Sequence, residues 1–555
     1  MSLSDGVTWV WGQHNIRFGA EYRRNQINTR ADENGRGAYT FSGLMTSALD
    51  GNGNPLASTG FDWADFLLGL PQSSTIRWGN PDTYFRAGSY NVYVQEDWRI
   101  RATLSANAGL RYEYTEPFQE KYGRMANLDF APDFGAAAVV TPALAGPFSG
   151  EFPGGLVEPD RNNLSPRLGA AWKPWVDRSL TVRAGYGLYY NGSVYNQVAS
   201  RLAQQPPFAV TNTFTTTRAN PLTLAAGLLG SPKTGITNTY AVDRGYRLGY
   251  AQTWSLSIQQ NLPGSLVAEA SYLGTKGTRL DVQRLPNQAP PGSPADSEER
   301  RPIPYAVGFI YESADGNSIY HSGRARLMRR FQKGVSFAAA YTWSKSIDNV
   351  STYGGGQAVV AQNAFDPAAE RGLSSFDQRH NLNVSLLLTS PVDDGASPIV
   401  AHGRSGRLLK DWTLGGGVSA SSGTPMTALV LGNLSNAGGT GVVGSGRADA
   451  TGLPVSLGGG LFNLAAFALP AADRYGNAGR NTVPGPGQAA VNLSFGRSFP
   501  LGEERRRLEF RIEAENALNM VSYTRFGTTV NASNYGLVTA AAPMRGVTAQ
   551  LRVRF

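Results

Sequence analysis

Cysteine is absent from this chain of 555 residues. The sequence therefore has no disulfide framework, no thiolate metal site and no cysteine nucleophile. Histidine is scarce, and the spacing of His14, His321, His380 and His402 fits no metal-binding motif. No GxxxxGK[ST] motif for binding phosphate occurs either. These absences point away from an enzyme, and we expect no metal and no cofactor.

Charge and long apolar runs are also scarce. Charged residues make up 16% of the chain, against about 25% in an average soluble domain. The net charge is +9, but the basic residues are spread along the chain, so we expect no nucleic-acid partner. No segment approaches the ~18 uninterrupted apolar residues of a spanning helix. If the chain crosses a membrane, it must therefore do so as strands.

The chain is rich in residues that favour strands and turns, with 66 glycines and 10% aromatic residues. Its last stretch, residues 545–555, shows the clearest pattern, because side chains of an extended strand point alternately to opposite sides. One side would be apolar, with Val547, Ala549, Leu551, Val553 and Phe555. The other would be polar, with Thr548, Gln550, Arg552 and Arg554.

Such a strand is typical of the wall of a β-barrel that has lipid outside and water inside. For this stretch alone, the edge strand of a soluble sandwich is the alternative. Because the stretch ends on an aromatic residue, we predict that Leu551, Val553 and Phe555 form a signal for the barrel-assembly machinery. We place Phe555 on the periplasmic side.

The same alternation recurs along the chain, and it is clearest at residues 104–114, 164–173, 180–190, 250–259, 335–344, 491–495 and 508–515. Globular strands average about 5–6 residues, so many longer ones favour a transmembrane wall. Aromatic residues stand at predicted strand ends, as an interfacial girdle requires. Examples are Trp98, Tyr114, Tyr190, Trp343 and Trp412.

The predicted connections alternate between tight and long. The tight ones are 100–101, 174–178, 262–264, 332–334 and 500–504, and the long ones are 116–162, 191–245, 276–317, 347–377, 423–486 and 519–545. The link at 391–406 is intermediate. Outer-membrane barrels have short periplasmic turns and long extracellular loops, so we assign the two sets accordingly.

The N-terminal part is predicted to hold strands at 5–11, 14–24, 36–43, 72–79 and 84–99, with a short periplasmic helix at 63–70. The total is then about seventeen strands, whereas complete bacterial barrels have an even number. The N-terminus MSLSDGVTWVWG also lacks the features of a secretory signal. We therefore expect residues 1–555 to form one incomplete transmembrane antiparallel β-barrel, with about five strands missing from a parent of about 22.

Charged side chains recur on the polar side of the predicted wall. They would be strongly destabilising in a dry core, so they indicate a wet or plug-filled interior. We predict a lumen-facing charged ladder made of Glu509, Arg511, Glu513, Glu515, Arg552, Arg554, Arg324 and Arg326. These charges could stiffen the wall, dock a plug or contact substrate. The run Asp377-Gln378-Arg379-His380 could suggest catalysis, but hydrogen bonding at the base of a loop is the simpler interpretation.

Several wall segments resemble the barrel of Oar-like TonB-dependent receptors, and they do so in the family's order. The segments are FDWADFLLGLPQSS (61–74), YVQEDWRIRATLSANAGLRYEY (93–114), TWSLSIQQNLPGSLVAEASYLGTKGTRL (253–280), RRFQKGVSFAAAYTWSKSID (329–348), DQRHNLNVSLLL (377–388), GNAGRNTVPGPGQAAVNLSFGRSF (476–499) and LEFRIEAENALN (508–519). In that family a signal peptide, a carboxypeptidase-regulatory-like domain and a plug with a TonB box precede the barrel. None of these three is visible in this sequence.

The resemblance implies a non-enzymatic outer-membrane transporter or receptor that binds an unidentified ligand at its extracellular loops. The implied partners are outer-membrane lipid, the assembly machinery, the missing plug and, through the plug, TonB. A passive porin-like channel and a surface structural or adhesion protein are alternatives. A soluble propeller is a further alternative, although the chain shows no four-strand repeat of fixed period.

Overall fold

The computed structural model describes most of the chain. The residues outside its description are 31–33, 50–58, 80, 143, 217–220, 229–234, 293–298, 333, 351–360, 391–410, 431–434, 436–445, 457–461 and 502–505. The predicted intermediate link at 391–406 therefore lies outside the described residues, as does His402. Two predicted tight connections, at 332–334 and 500–504, are only partly described.

One large sheet, antiparallel except where Tyr240–Val242 pairs parallel with Ile310–Gln332, dominates the described chain and confirms the all-β fold class. It has eighteen strands, of which Gln119–Glu120, Tyr240–Val242 and Gly372–Leu373 have only two or three residues. The remaining strands form the wall and are numbered here as β1 (Ser2–Trp11), β2 (His14–Arg30), β3 (Asp82–Arg101), β4 (Leu104–Thr115), β5 (Leu164–Trp172), β6 (Thr181–Tyr190), β7 (Tyr250–Leu262), β8 (Leu266–Arg284), β9 (Ile310–Gln332), β10 (Val335–Asp348), β11 (His380–Thr389), β12 (Trp412–Ser421), β13 (Gln488–Pro500), β14 (Arg507–Glu515) and β15 (Gly546–Arg554).

Each wall strand pairs antiparallel with the next one in the chain. Within the described residues, β1 pairs only with β2 and β15 only with β14, so the sheet is not closed. Short turns join the strands at one end, called here the turn end, except between β11 and β12, whose link lies mostly outside the described residues. Long connections join the strands at the other end, called here the loop end. Phe555 follows β15 at the turn end.

In the described residues the wall has fifteen strands rather than the predicted seventeen or so, because two predicted N-terminal strands lie elsewhere. β2 and β3 pair directly, from His14–Trp98 to Arg30–Asp82, which leaves no place for a strand between them. The predicted strands at 36–43 and 72–79 are instead Ala38–Thr40 and Ser73–Gly79, and they pair in a separate sheet with Ala209–Thr215. Alternation alone did not distinguish a loop sheet from the wall.

The predicted helix at 63–70 exists as Asp62–Leu68, but its predicted periplasmic location is wrong. It belongs to the connection between β2 and β3, which leaves the sheet at the loop end. The buried carboxylate of Asp65 fixes it by accepting hydrogen bonds from the Met45 and Thr46 amides at 3.2 and 2.9 Å. Gly69 ends the helix with a positive φ of 71°, a conformation that favours glycine.

The second α-helix is Val194–Ala203, and 3₁₀ helices occupy Pro367–Glu370 and Leu464–Ala466. No helix in the described part of the chain has both the length and the apolar character needed to cross a membrane. The remaining short strands, all in connections at the loop end, are Asn127–Phe130, Ala137–Val140, Ala145–Gly146, Gly150–Glu151, Asp449–Ala450, Phe467–Ala468, Tyr523–Phe526 and Val538–Ala541.

The wall strands have one apolar and one polar face, as the alternation predicts. Val94, Leu110 and Leu168 lie on the apolar face, and their side chains are 48%, 45% and 55% exposed. Their large exposed fractions mean that no described part of the chain covers this face at these positions. The residues next to them in the sequence, such as Gln95 and Arg167, point to the opposite, polar face.

Aromatic residues occupy two levels of the apolar face. Near the turn end, Trp11, His14 and Trp98 stack with centroid separations of 5.7 and 5.3 Å. Toward the loop end, the Tyr272 hydroxyl forms a hydrogen bond with His321 Nδ1 at 2.8 Å. The Tyr341 hydroxyl forms one with His380 Nδ1 at 2.7 Å. Amphipathic rings at two levels are what the two interfaces of a membrane favour.

The connections at the loop end fold around their own apolar core. Phe85 and Ala87, on the polar-face side of the β3 extension, are buried in it together with the second helix. Other fully buried members include Met125, Phe152, Leu156, Tyr195, Leu202, Tyr246 and Leu248. The loops on this side of the sheet are therefore a packed layer, called here the loop core, and they contact the polar rather than the apolar face.

Candidate functional site

The polar face of β14 and β15 brings together most of the predicted charged ladder. Arg552 lies directly opposite Glu509, and Arg554 Nε is 3.2 Å from Glu509 Oε1. Arg511 pairs instead with Glu513 on its own strand, at 2.6 Å. Glu513 and Glu515 lie opposite Thr548 and Gly546. The two strands thus share one charged face, although within the described residues only one ion pair joins them.

Arg324 and Arg326 occupy a different part of the same face, on β9. Arg324 lies between Ser271 and Thr342, and Arg326 lies between Glu269 and Ala340. Both side chains are exposed, and within the described residues neither makes an ion pair. The predicted ladder is therefore two separate groups of charges on one face.

An ion-pair network on β2, β3 and β4 was not predicted. Arg111 is 2.5 Å from Glu113 and 3.9 Å from Glu21, and Glu21 also lies 3.0 Å from Arg23. Asn91, on the intervening strand, donates to Glu21 at 3.4 Å. The partners come from strands β2 and β4, which are not adjacent, so their proximity could be inferred only after the strand order was known.

The predicted assembly-signal residues lie on the apolar face of β15. Leu551 pairs with Phe510 and Val553 with Leu508. Their side chains are 68% and 44% exposed, and that of Phe555 is 92% exposed. This places the three side chains on an uncovered sheet edge at the turn end. Their role in assembly stays a prediction.

The run at 377–380 forms hydrogen bonds at the base of a loop, as expected. Asp377 Oδ1 accepts the Ser346 amide at 2.6 Å, and the Gln378 carbonyl accepts from the Ser344 hydroxyl at 2.7 Å. His380 contacts the hydroxyl of Tyr341. Each polar group of the run thus has a local structural partner.

Buried ion pairs join the two long connections that flank β11 and β12. Arg447 pairs with Glu370, and both side chains are only 5% exposed. Arg480 pairs with Asp348 and also donates through Nε to the Glu370 carbonyl at 2.8 Å. These charges are almost completely desolvated. Removing one partner would therefore leave the other charge buried and uncompensated, which is strongly destabilising.

A second buried cluster lies on the extensions of β8 and β9, beyond the aromatic residues of the loop end. Arg201 Nη1 is 3.2 Å from Glu312 Oε2, and the Tyr240 hydroxyl donates to the same oxygen at 3.0 Å. Tyr246 donates to Asp281. Burial raises the pKa of Glu312, the carboxylate of Asp281 raises it further, and burial also raises the pKa of Asp281.

A raised carboxyl pKa means that folding favours the protonated form. The contribution of Glu312 to stability is therefore most favourable below its ordinary pKa of 4.5 and declines as the pH rises above it. Arg201 offsets part of this cost, because its charge favours ionised Glu312. The cluster ties the second helix to the β8–β9 extension and contributes to the loop core.

Two cavities lie along the polar face of the central strands. One, of about 520 Å³, is lined by Arg167 and Arg183 together with Gln95, Asn107 and Tyr189. The other, of about 330 Å³, is lined by Arg324 and Arg326 and by small side chains of β10 to β13, namely Ala338, Ala340, Asn383, Ser385, Gly417, Ser419 and Asn492. Both volumes suit small chemical groups.

A large wall of antiparallel strands with an uncovered apolar face, a polar face, mostly short turns at one end and packed loops at the other is the architecture of an outer-membrane β-barrel protein. The family model described as "Outer membrane beta barrel domain" matches residues 1–548, and the chain belongs to this family. The protein is therefore located in the outer membrane. A search of the curated proteins finds no match.

Solved outer-membrane transporters and receptors are similar to this chain. The transporter YddB from Escherichia coli is 12% identical with a TM-score of 0.53, and the match covers 100% of this chain and 53% of YddB. The siderophore receptor PiuA from Acinetobacter baumannii is 12% identical with a TM-score of 0.45, with 100% and 55% covered. The FrpB iron transporter from Neisseria meningitidis is 12% identical, with a TM-score of 0.43 and the same coverage.

The chain spans about half the length of these solved structures. At 12% identity, the similarity to YddB shows a shared fold and no more.

Proposed function

We propose that this chain is the barrel portion of an Oar-like TonB-dependent receptor that binds a large or scarce ligand at its extracellular loops and passes it across the outer membrane. In this proposal the loop end lies outside the cell and the polar face lines the lumen. The main supporting observation is the packed loop core, which covers the loop end on the polar-face side. A loop core in this position would let the loops hold a ligand directly above the lumen.

The proposal includes further wall strands. β1 and β15 both run from the loop end to the turn end, so joining them directly would create a parallel pair. An odd number of additional strands would instead close the wall with antiparallel pairs throughout, which is the arrangement of bacterial outer-membrane barrels. We propose that such strands and a plug complete the receptor.

Energy-dependent uptake tests this function. The chain would be fused to a signal peptide, the missing strands and a plug, and cells would be given a panel of fluorescent ferric siderophores, oligosaccharides and peptides. We expect uptake of at least one probe, and we expect a protonophore to abolish that uptake because the plug needs energy from the inner membrane. Surface binding should persist in de-energised cells. Uptake that continues after de-energisation would contradict the proposal.

A passive diffusion channel is the second candidate, because the polar face carries exposed side chains beside two cavities. It would show steady conductance in a planar bilayer with the plug in place, whereas a plugged receptor would be nearly silent. Steady conductance of the plugged form would favour the channel.

A further inference from the structure

Charge is distributed unevenly across the polar face. On β2 to β4 several arginines have acidic partners, for example Arg17 with Asp97 at 3.9 Å and Arg23 with Glu21 at 3.0 Å. On β14 and β15, Arg554 pairs with Glu509. Both flanks of the described wall are therefore close to electrically balanced.

The central strands, β5 to β13, are different. Between the turn end and the aromatic residues of the loop end, their polar face carries the guanidinium groups of four arginines, namely Arg167, Arg183, Arg324 and Arg326. In the same described region the only carboxylate on this face is that of Glu269, which lies opposite Arg326. The centre of the face is thus strongly positive between two balanced flanks.

These four arginines line the two cavities in pairs. Arg167 lies over the ring of Tyr189, with 4.8 Å from its guanidinium carbon to the ring centroid, and Arg183 donates to Gln259 at 3.1 Å. Neither contact neutralises a charge. Arg324 and Arg326 make no ion pair within the described residues, and the side chains across their cavity are small. Each cavity therefore combines open space with two guanidinium groups that make no ion pair within the described residues.

We propose that the central polar face binds an anionic solute, whose carboxylate or phosphate groups are held by the Arg167–Arg183 pair and the Arg324–Arg326 pair. A guanidinium group presents parallel N–H donors that match carboxylate and phosphate oxygens, and such charge-assisted hydrogen bonds are stronger than neutral ones. This inference rests on the proposed function, because it names the chemical class of the solute that passes along the wall.

Binding of defined polyanions to the full chain in detergent micelles tests this inference. The probes are tripolyphosphate, propane-1,2,3-tricarboxylate and uncharged sucrose, measured by titration calorimetry at low ionic strength. We expect the anions to bind and sucrose not to bind. The double variants Arg324→Gln/Arg326→Gln and Arg167→Gln/Arg183→Gln should each weaken anion binding about tenfold, since each loses two charge-assisted contacts. Binding of tripolyphosphate alone would support a phosphate-bearing solute, and binding of the tricarboxylate alone a carboxylate-bearing one.

The matched control is Arg17→Gln/Arg23→Gln, which removes the same charge from the same face at acid-paired positions and should change the affinity less than twofold. Arg324→Lys/Arg326→Lys should retain part of the binding. Heat-modifiable migration in gels checks that every variant is folded. Absence of anion binding to folded wild-type protein, or an equal loss in the control, would overturn the inference. Energy-dependent uptake by the complete receptor would remain intact in that case, so the two failures are distinguishable.

Discussion

Replacing Leu110 with arginine should lower the free energy of unfolding in lipid vesicles by about 2–4 kcal/mol. Leu110 lies near the middle of β4 on the apolar face, between Val94 and Pro166. Its side chain is 45% exposed, since no described part of the chain covers it. If lipid covers it instead, the new charge must enter the hydrocarbon. Reversible urea unfolding in vesicles, followed by tryptophan fluorescence, would measure the loss.

Asn107→Arg is the matched control for Leu110→Arg. Asn107 lies on the same strand but on the polar face, where it is opposite Asp97. An arginine there would have a carboxylate neighbour and access to water, so we expect a change below about 1 kcal/mol. Equal losses for the two variants would contradict the assignment of the faces.

Arg447→Ala should destabilise the packed connections at the loop end by about 3–5 kcal/mol. The substitution leaves the buried carboxylate of Glu370 without its cation, and the backbone carbonyls of Ala369 and Ala478 lose a donor. Hydrogen exchange of the Ala448 and Ala478 amides, which form hydrogen bonds within this region, would report the loss locally. The wall itself should remain folded.

Two comparisons separate the burial of the charge from the simple loss of a contact. Arg474→Ala breaks an ion pair with Asp449 in which the arginine side chain is 47% exposed, so it should cost at most about 1 kcal/mol. Arg447→Leu/Glu370→Leu removes both buried charges and should be less destabilising than Arg447→Ala. A double variant that is worse than the single one would show that the pair itself stabilises the loops.

Strand alternation predicted the wall well from β3 onward. In this part each strand repeats the apolar and polar sides over about ten residues, and short turns separate strands that are also neighbours in space. Val94, Leu110 and Leu168 therefore fall on one face, as their spacing indicates. A repeated local pattern of this kind depends on no distant contact.

The N-terminal part was predicted less well because the same local pattern has two structural uses. Ser73–Gly79 alternates like a wall strand, yet it pairs with Ala209–Thr215, which lies more than a hundred residues further along the chain. The wrong location predicted for the helix Asp62–Leu68 followed from that error. With 36–43 and 72–79 as wall strands, the helix between them would lie at the turn end, on the periplasmic side of the predicted barrel. The helix belongs instead to the β2–β3 connection, at the loop end.

Long-range ion pairs also could not be predicted from the sequence. Arg447 and Glu370 are separated by 77 residues, and Arg480 and Asp348 by 132. The charged ladder was only partly predicted. Alternation gives the face on which Arg511 lies, but it does not show that Arg511 pairs with Glu513 rather than with a residue of β15. The positive centre of the polar face became visible only when strand order had placed β5 to β13 side by side.

The absence of cysteine makes one measurement especially direct, because single cysteines can be introduced without a background. A nitroxide spin label would be attached in turn at positions 107 to 111 of β4, and its collisions with oxygen and with a water-soluble nickel chelate would be measured in lipid vesicles. We predict that labels at Ala108 and Leu110 collide mainly with oxygen, and that labels at Asn107, Gly109 and Arg111 collide mainly with the nickel chelate. The reverse pattern, or no alternation, would contradict a wall with lipid on its apolar face and water on its polar face.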